Sequence, residues 1–198
     1  MANPFISRED LGDYLGQDLS ASDKALIAVD AACDICRTLA EQTFNEVIDE
    51  TIVLDGTGTD ALLLPESPVI DVTAVTENDE ALVVDDDYKL NGSGVLLRSP
   101  VVYEGGWGDQ WVRRVWSLGR QNIEVTYSHG YAATDLPRDV RMVALSLADR
   151  IFTQGNVSFE SLGAYSVRYT NGAALDLTVG ERAILRKYRG GHSNVTGN

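Results

Sequence analysis

Apolar residues recur along this chain with two different periods, and the change of period divides it into a helical beginning, an extended middle and a helical end. Ser7-Arg8-Glu9-Asp10 reads as a helix start, a Ser N-cap with an acidic residue three positions on, and Leu11, Tyr14 and Leu15 give it a short apolar face before Gly16. A second helix is predicted from Ser20 or Ser22 to Thr43-Phe44. Its Leu26, Val29, Cys33, Cys36, Leu39 and Ala40 step by three or four and so share one buried face. Helical period returns after Leu136-Pro137, with Pro at the favoured first turn. Val140, Val143, Ala144, Leu147, Ala148 and Ile151 form that stripe, and Gln154-Gly155-Asn156 stops it. Thr178-Val179-Gly180-Glu181 is a capping box opening a last short helix through Ile184, Leu185 and Tyr188, closed by Gly190-Gly191.

The middle of the chain is built differently. Val47, Thr51 to Leu54, Leu62 to Leu64, Ile70 to Val75, Ala81 to Val84, Tyr88 to Leu90, Val95 to Leu97 and Ile123 to Tyr127 are short β-branched or aromatic runs. Turn clusters such as Asp55-Gly56-Thr57-Gly58, Asn78-Asp79 and Asn91-Gly92-Ser93-Gly94 separate them. Such spacing predicts an antiparallel sheet or small barrel. Pro100 to Leu118 holds all three tryptophans, Trp107, Trp111 and Trp116, beside Arg113 and Arg114. It reads either as an adhesive tip or as a flap folded over the end of the sheet. Between the last two helices, Ser158 to Thr170 reads as one extended segment in which Tyr165, Val167 and Tyr169 alternate with Ser166 and Arg168. The expected fold class is therefore α+β: a small helical bundle of N- and C-terminal helices (1–44 and 131–190) with an inserted antiparallel β-rich subdomain (45–130) and a disordered tail (191–198).

Composition narrows the function classes. With 198 residues, 44% of them hydrophobic and 23% charged, the chain has the make-up of a folded globular protein. No apolar run approaches the roughly 18–20 residues that cross a bilayer, and Met1-Ala2-Asn3-Pro4-Phe5 does not read as a signal peptide. The expectation is a soluble protein made in a cytoplasm. The net charge of −14 is uneven, −16 over residues 1–100 and +2 over residues 101–198, and Arg182, Arg186, Lys187 and Arg189 crowd one stretch near the end. Those cations either complement the dipole of the last helix or meet an acidic partner or second copy. Generic DNA binding is disfavoured, because an acidic surface repels phosphates.

Catalytic chemistry has little to build on. Cys33 and Cys36 spell C-x-x-C within a helical pattern and near Asp30 and Asp34, which suits buried small residues better than a redox pair. His129, at the end of a strand, reads as a surface or turn residue without a nucleophile to serve. Asp85-Asp86-Asp87 lacks the alternating ligands of a calcium loop and reads as a solvated turn. No cofactor, metal or catalytic set is expected, although a pair of carboxylates for glycoside hydrolysis is compatible with so acidic a chain.

Leu11-x-x-Tyr14-Leu15 before the long Ala-rich helix, Leu64-Pro65-Glu66-Ser67-Pro68-Val69-Ile70-Asp71-Val72, Gly119 to Tyr131, Pro137-Arg138-Asp139-Val140, Ser161 to Tyr169, and Leu177-Thr178 through Tyr188-Arg189 occur here in one order. In that order the chain resembles the head-to-tail connector (adaptor) proteins of long-tailed bacteriophages. The resemblance implies a virion protein that forms a ring, usually a dodecamer, beneath the portal, extends the DNA channel and receives the next connector or tail-completion protein. It implies as partners the portal protein, neighbouring copies and the passing genomic DNA without sequence-specific contact, and no membrane. Carried onto this sequence, Arg182, Arg186, Lys187, Tyr188 and Arg189 are portal-interface candidates. Tyr165, Val167, Arg168 and Tyr169 are subunit-interface candidates, and Trp107, Trp111, Arg113 and Arg114 are rim candidates. A binding module that recognises carbohydrate or protein through the β insert is the competing reading.

Overall fold

The computed structural model of the chain describes residues 3–103, 110–154, 159–162, 165–168 and 176–189. Trp107, Tyr169 and the expected tail at 191–198 lie outside the described residues. The chain divides into two compact units: residues 1–45 with 132–189, and residues 46–131.

The first unit holds α1 (Arg8–Leu15), α2 (Asp23–Ala40), α3 (Arg138–Gln154) and α4 (Val179–Arg186). Ser7 and Asp10 close a reciprocal capping box at the start of α1, and Gly16 ends it in the left-handed region at φ 67°. Ser22 caps α2 by accepting from the Ala25 N–H. The α2–α3 pair forms the centre of the bundle. The buried residues of α2 are mostly small (Ala25, Ala28, Val29, Ala32, Cys33, Cys36 and Ala40), and those of α3 include Val140, Val143, Ala144, Leu147 and Ala148. Small residues let helix axes approach closely. Leu26 and Leu39, expected on the buried stripe, are instead 40% and 38% exposed, since the alanines one turn away occupy the contact line. Both cysteines are buried and free of a disulfide. Burial pushes the Cys33 thiol up and the Cys36 thiol to about 12, so neither is a thiolate at neutral pH.

The second unit is built of β1 (Val47–Gly56), β2 (Ala61–Leu63), β3 (Val69–Glu77), β4 (Glu80–Ala81), β5 (Tyr88–Leu90), β6 (Val95–Arg98), β7 (Val101–Tyr103), β8 (Gln110–Val112) and β9 (Gly119–His129). They make a four-stranded sheet in the order β1-β9-β3-β4, a three-stranded sheet β2-β6-β5 and a two-stranded ribbon β7-β8. Every strand pairing is antiparallel. In the first unit, β10 (Phe159–Leu162) and β11 (Tyr165–Arg168) pair antiparallel, Leu162 facing Tyr165 and Phe159 facing Arg168. What the sequence reads as one extended segment is thus two strands joined to each other. The architecture is α+β, with a β-rich centre between helical ends.

A core of Leu62, Leu64, Val75, Tyr88, Leu96, Trp116, Ile123, Val125 and Tyr127 fills the second unit. Trp116 is its largest member, fully buried, with Nε1 donating to the Leu96 carbonyl at 3.2 Å. The Arg98 guanidinium lies over the Trp116 ring, 5.0 Å from its centroid, and pairs with Glu77. The second oxygen of Glu77 accepts the Ser117 N–H at 2.7 Å. This brings the end of the tryptophan segment onto β3. Gly56 is required where the strands meet it, because a Cβ there would stand 1.8 Å from the Ser117 carbonyl oxygen.

His129 corrects the sequence reading. It is buried, not at a surface turn, and its Nε2 lies 2.7 Å from a Glu50 carboxylate oxygen. Ile123, Val125, Tyr127 and His129 alternate along β9, so the pleat that buries the first three carries the imidazole inward as well.

Glu77→Ala removes the ion-pair partner of a guanidinium that is nine-tenths buried. Loss of about 3–5 kcal/mol is expected for breaking such a pair, measured by denaturant unfolding of the full chain, with the Trp116 emission reporting the transition.

Candidate interaction surface

The last helix carries the densest set of sequence-nominated residues, and its placement begins at Glu181. This carboxylate accepts from the Thr178 N–H at 2.8 Å, completing the capping box, and also receives both terminal nitrogens of Arg150 on α3 at 2.9 and 3.0 Å. Ser146 adds a hydroxyl at 3.2 Å. Burial alone would raise the Glu181 pKa, but the Arg150 guanidinium and the Thr178 N–H and hydroxyl hold it at about 2. At the other end of α4, Leu185 is buried. The Tyr188 ring stands edge-on to Phe44 at 6.2 Å, and its hydroxyl donates to Asp139 at 2.8 Å.

Fixing α4 in this way divides the five nominated residues. Tyr188 packs inward. Arg182 donates to the Leu177 carbonyl at 3.1 Å and pairs with Asp176. Arg189 reaches Glu41, its Nε at 2.9 Å from the carboxylate. Arg186 and Lys187 are exposed and make no side-chain hydrogen bond or ion pair among the described residues. They border Ala183 and the 86%-exposed Val179 on the outer face of α4, a mixed apolar and cationic surface. Arg138, the first residue of α3 and chain neighbour of the Asp139 that receives Tyr188, is likewise exposed and makes no ion pair among the described residues. Sequence spacing did not nominate it, because it lies about fifty residues upstream of the others in a different helix.

The rim candidates are placed differently. Arg113 donates to Asp60 through Nε at 3.0 Å, and Arg114 donates to Asp87 at 2.6 Å. Asp87 also accepts the Val83 N–H at 2.9 Å, so the acidic run is partly an internal brace. With Trp116 in the core, residues 113–117 lie as a flap across the unit. Trp111 sits in β8 opposite Val102 of β7. Tyr165, Val167 and Arg168 all fall in β11. The described residues contain no group of three or more His, Cys, Asp or Glu side chains arranged to hold a metal ion, and no helix is long and apolar enough to cross a membrane.

No protein-family model matches the sequence, and no curated protein is significantly similar. Solved structures are similar over nearly the whole length. A chain in the virion of a native gene transfer agent particle aligns with 98% of this chain and 94% of its own length, at 16% identity and a TM-score of 0.55. A chain in the neck of an empty gene transfer agent particle, computed with C6 symmetry, aligns over 89% and 91%, at 17% identity and a TM-score of 0.53. The fold of this chain is that of those particle components.

The depressed Glu181 pKa sets a pH window. A carboxylate held below its ordinary 4.5 stabilises the fold above that value and loses the contribution as pH falls toward about 2. Hydrogen exchange of α4 amides is expected to accelerate selectively across that window, and Arg150→Met to produce the same loosening already at neutral pH.

Proposed function

We propose that this chain is a non-enzymatic structural protein of a phage-like particle, a head-to-tail connector that forms a ring beneath the portal. In this role it extends the DNA channel and presents a platform to the next connector or tail-completion protein. The observation that supports the reading is the similarity of fold to a gene transfer agent neck chain across 89% of this chain. Assembly into a virion follows synthesis in a bacterial cytoplasm, and the ring is a dodecamer by the connector resemblance.

Two surface properties suit the role. An acidic face turned toward the channel, as the net charge of −14 allows, would repel duplex DNA and so let it slide. The outer face of α4, with Val179, Arg186 and Lys187, offers the cationic patch that an acidic portal surface would recognise. Arg182, Tyr188 and Arg189 then act by positioning that face through their internal partners.

Particles from a mutant lacking this protein are expected to accumulate DNA-filled heads without tails, seen by negative-stain microscopy. Heads that still join tails would defeat the reading. Arg186→Glu with Lys187→Glu is expected to weaken binding to purified portal rings by roughly tenfold or more, with the thermal unfolding midpoint unchanged. Undiminished binding would move the portal interface away from α4.

A further inference from the structure

One pleat of β1, β9 and β3 carries the core of the second unit, so the alternate residues of the same strands form a second face. Register sets them in rows. Val53, Glu124 and Thr76 pair across the three strands in one row, and Thr51, Thr126 and Ala74 in the next. The hydroxyls of Thr51 and Thr126 share a hydrogen bond at 2.8 Å. Val53 is 52% exposed, and Thr51, Ala74 and Glu124 are exposed too, so this face is open to solvent.

At one end the face deepens into a cavity of about 470 Å³, with Val53, Thr76, Asn78, Asp79, Gln121 and Glu124 in its lining. Local backbone builds its walls. Asn78 and Asp79 make the turn between β3 and β4, both in the left-handed region, at φ 51° and 67°. Gln121, at φ 50°, sits where β9 loses register with β1 between Leu54 and Gly56. The side chains of Asp79, Gln121 and Glu124 make no hydrogen bond or ion pair among the described residues.

Charge says what the cavity accepts. Residues 46–131 hold 16 acidic and 5 basic side chains. Four of those cations, Lys89, Arg98, Arg113 and Arg114, already pair with Asp85, Glu77, Asp60 and Asp87. The fifth, Arg120, is not in the lining. Carboxylates are thus in excess, and the cavity lacks a cation of its own. The described residues group no three His, Cys, Asp or Glu side chains to hold a metal ion, so the complementary charge is organic. An arginine side chain fits the lining: its stem covers Val53, while its planar fork of donors meets two carboxylates and the amide oxygens of Asn78 and Gln121.

We propose that this sheet face docks a partner protein of different sequence, with an arginine of that partner seated in the cavity against Asp79 and Glu124. The rows of Thr51, Thr126 and Ala74 continue the contact beyond the cavity, which suits a polypeptide more than a free small cation. The proposal gives the β-rich insert a partner distinct from the one met by the cationic face of α4, and it does not depend on the connector reading.

The test uses the full-length chain and a short fluorescein-labelled peptide alternating arginine and threonine, followed by fluorescence anisotropy at physiological ionic strength. Asp79→Asn with Glu124→Gln is expected to weaken binding about tenfold or more, and Val53→Lys, which places a cation in the cavity, to do the same. Asp71→Asn with Asp86→Asn removes equal charge from the same unit outside the lining and is expected to change binding less than about twofold. All five positions are exposed, so thermal unfolding midpoints are expected to stay at the wild-type value. Citrulline in place of arginine keeps the peptide's shape, removes its charge and is expected to abolish binding. No binding to the wild-type chain, equal losses in the two carboxylate pairs, or undiminished binding of the citrulline peptide would each overturn the proposal. Displacement by free arginine would do so in favour of a small-molecule site, and self-association lost in the cavity variants in favour of a second copy. Failure of the connector reading looks different: the peptide binds as expected, yet particles lacking the chain still join heads to tails.

Discussion

A buried guanidinium needs a carboxylate, and each unit of this protein is organised around one glutamate that meets that need while also receiving a backbone N–H. In the β unit, Glu77 pairs with Arg98 and accepts the Ser117 N–H. In the helical unit, Glu181 pairs with Arg150 and accepts the Thr178 N–H. Taking these charges from water costs several kcal/mol per ion, offset only when the remaining lone pairs are also satisfied. The backbone donors supply that satisfaction, and in doing so they fix where a chain segment lies. Ser117 brings the tryptophan flap onto β3, and Arg150 of α3, donating to the Glu181 that Thr178 holds in the capping box, brings α4 onto α3.

The same economy of cations shapes the surface. Arg98, Arg113, Arg114, Arg141, Arg150, Arg182 and Arg189 all face internal carboxylates. Much of the basic content of an already acidic chain is therefore neutralised by carboxylates of the chain itself, even where the guanidinium is exposed. What remains outward is an acidic surface interrupted by a few unpaired cations, Arg186 and Lys187 on α4 among them. A protein so charged is poorly suited to holding nucleic acid and well suited to selective contact with other proteins, where complementary patches direct both orientation and partner choice.

Periodicity alone located the helices, the β-rich centre and the capping residues Ser7 and Thr178, and narrowed the cap of α2 to Ser20 or Ser22, because these depend on neighbours within a few positions. It also contained, unread, the inward direction of three polar groups. Glu77 follows Val75, Arg98 follows Leu96 and His129 follows Tyr127 at strand spacing, so each shares the buried face of its predecessor. Only the tertiary structure decided what that burial means, since each partner comes from a strand distant in sequence: Arg98 for Glu77, Glu50 for His129. The same holds for the surface. Sequence brought Arg182, Arg186, Lys187, Tyr188 and Arg189 together as a basic cluster. Folding separated them, because Asp176, Asp139 and Glu41 lie within reach of three and not of Arg186 or Lys187. Local pattern determines which residues form an element and which way each side chain points. Whether a charge is available to a partner depends on long-range neighbours, and these exist only once the chain has closed on itself.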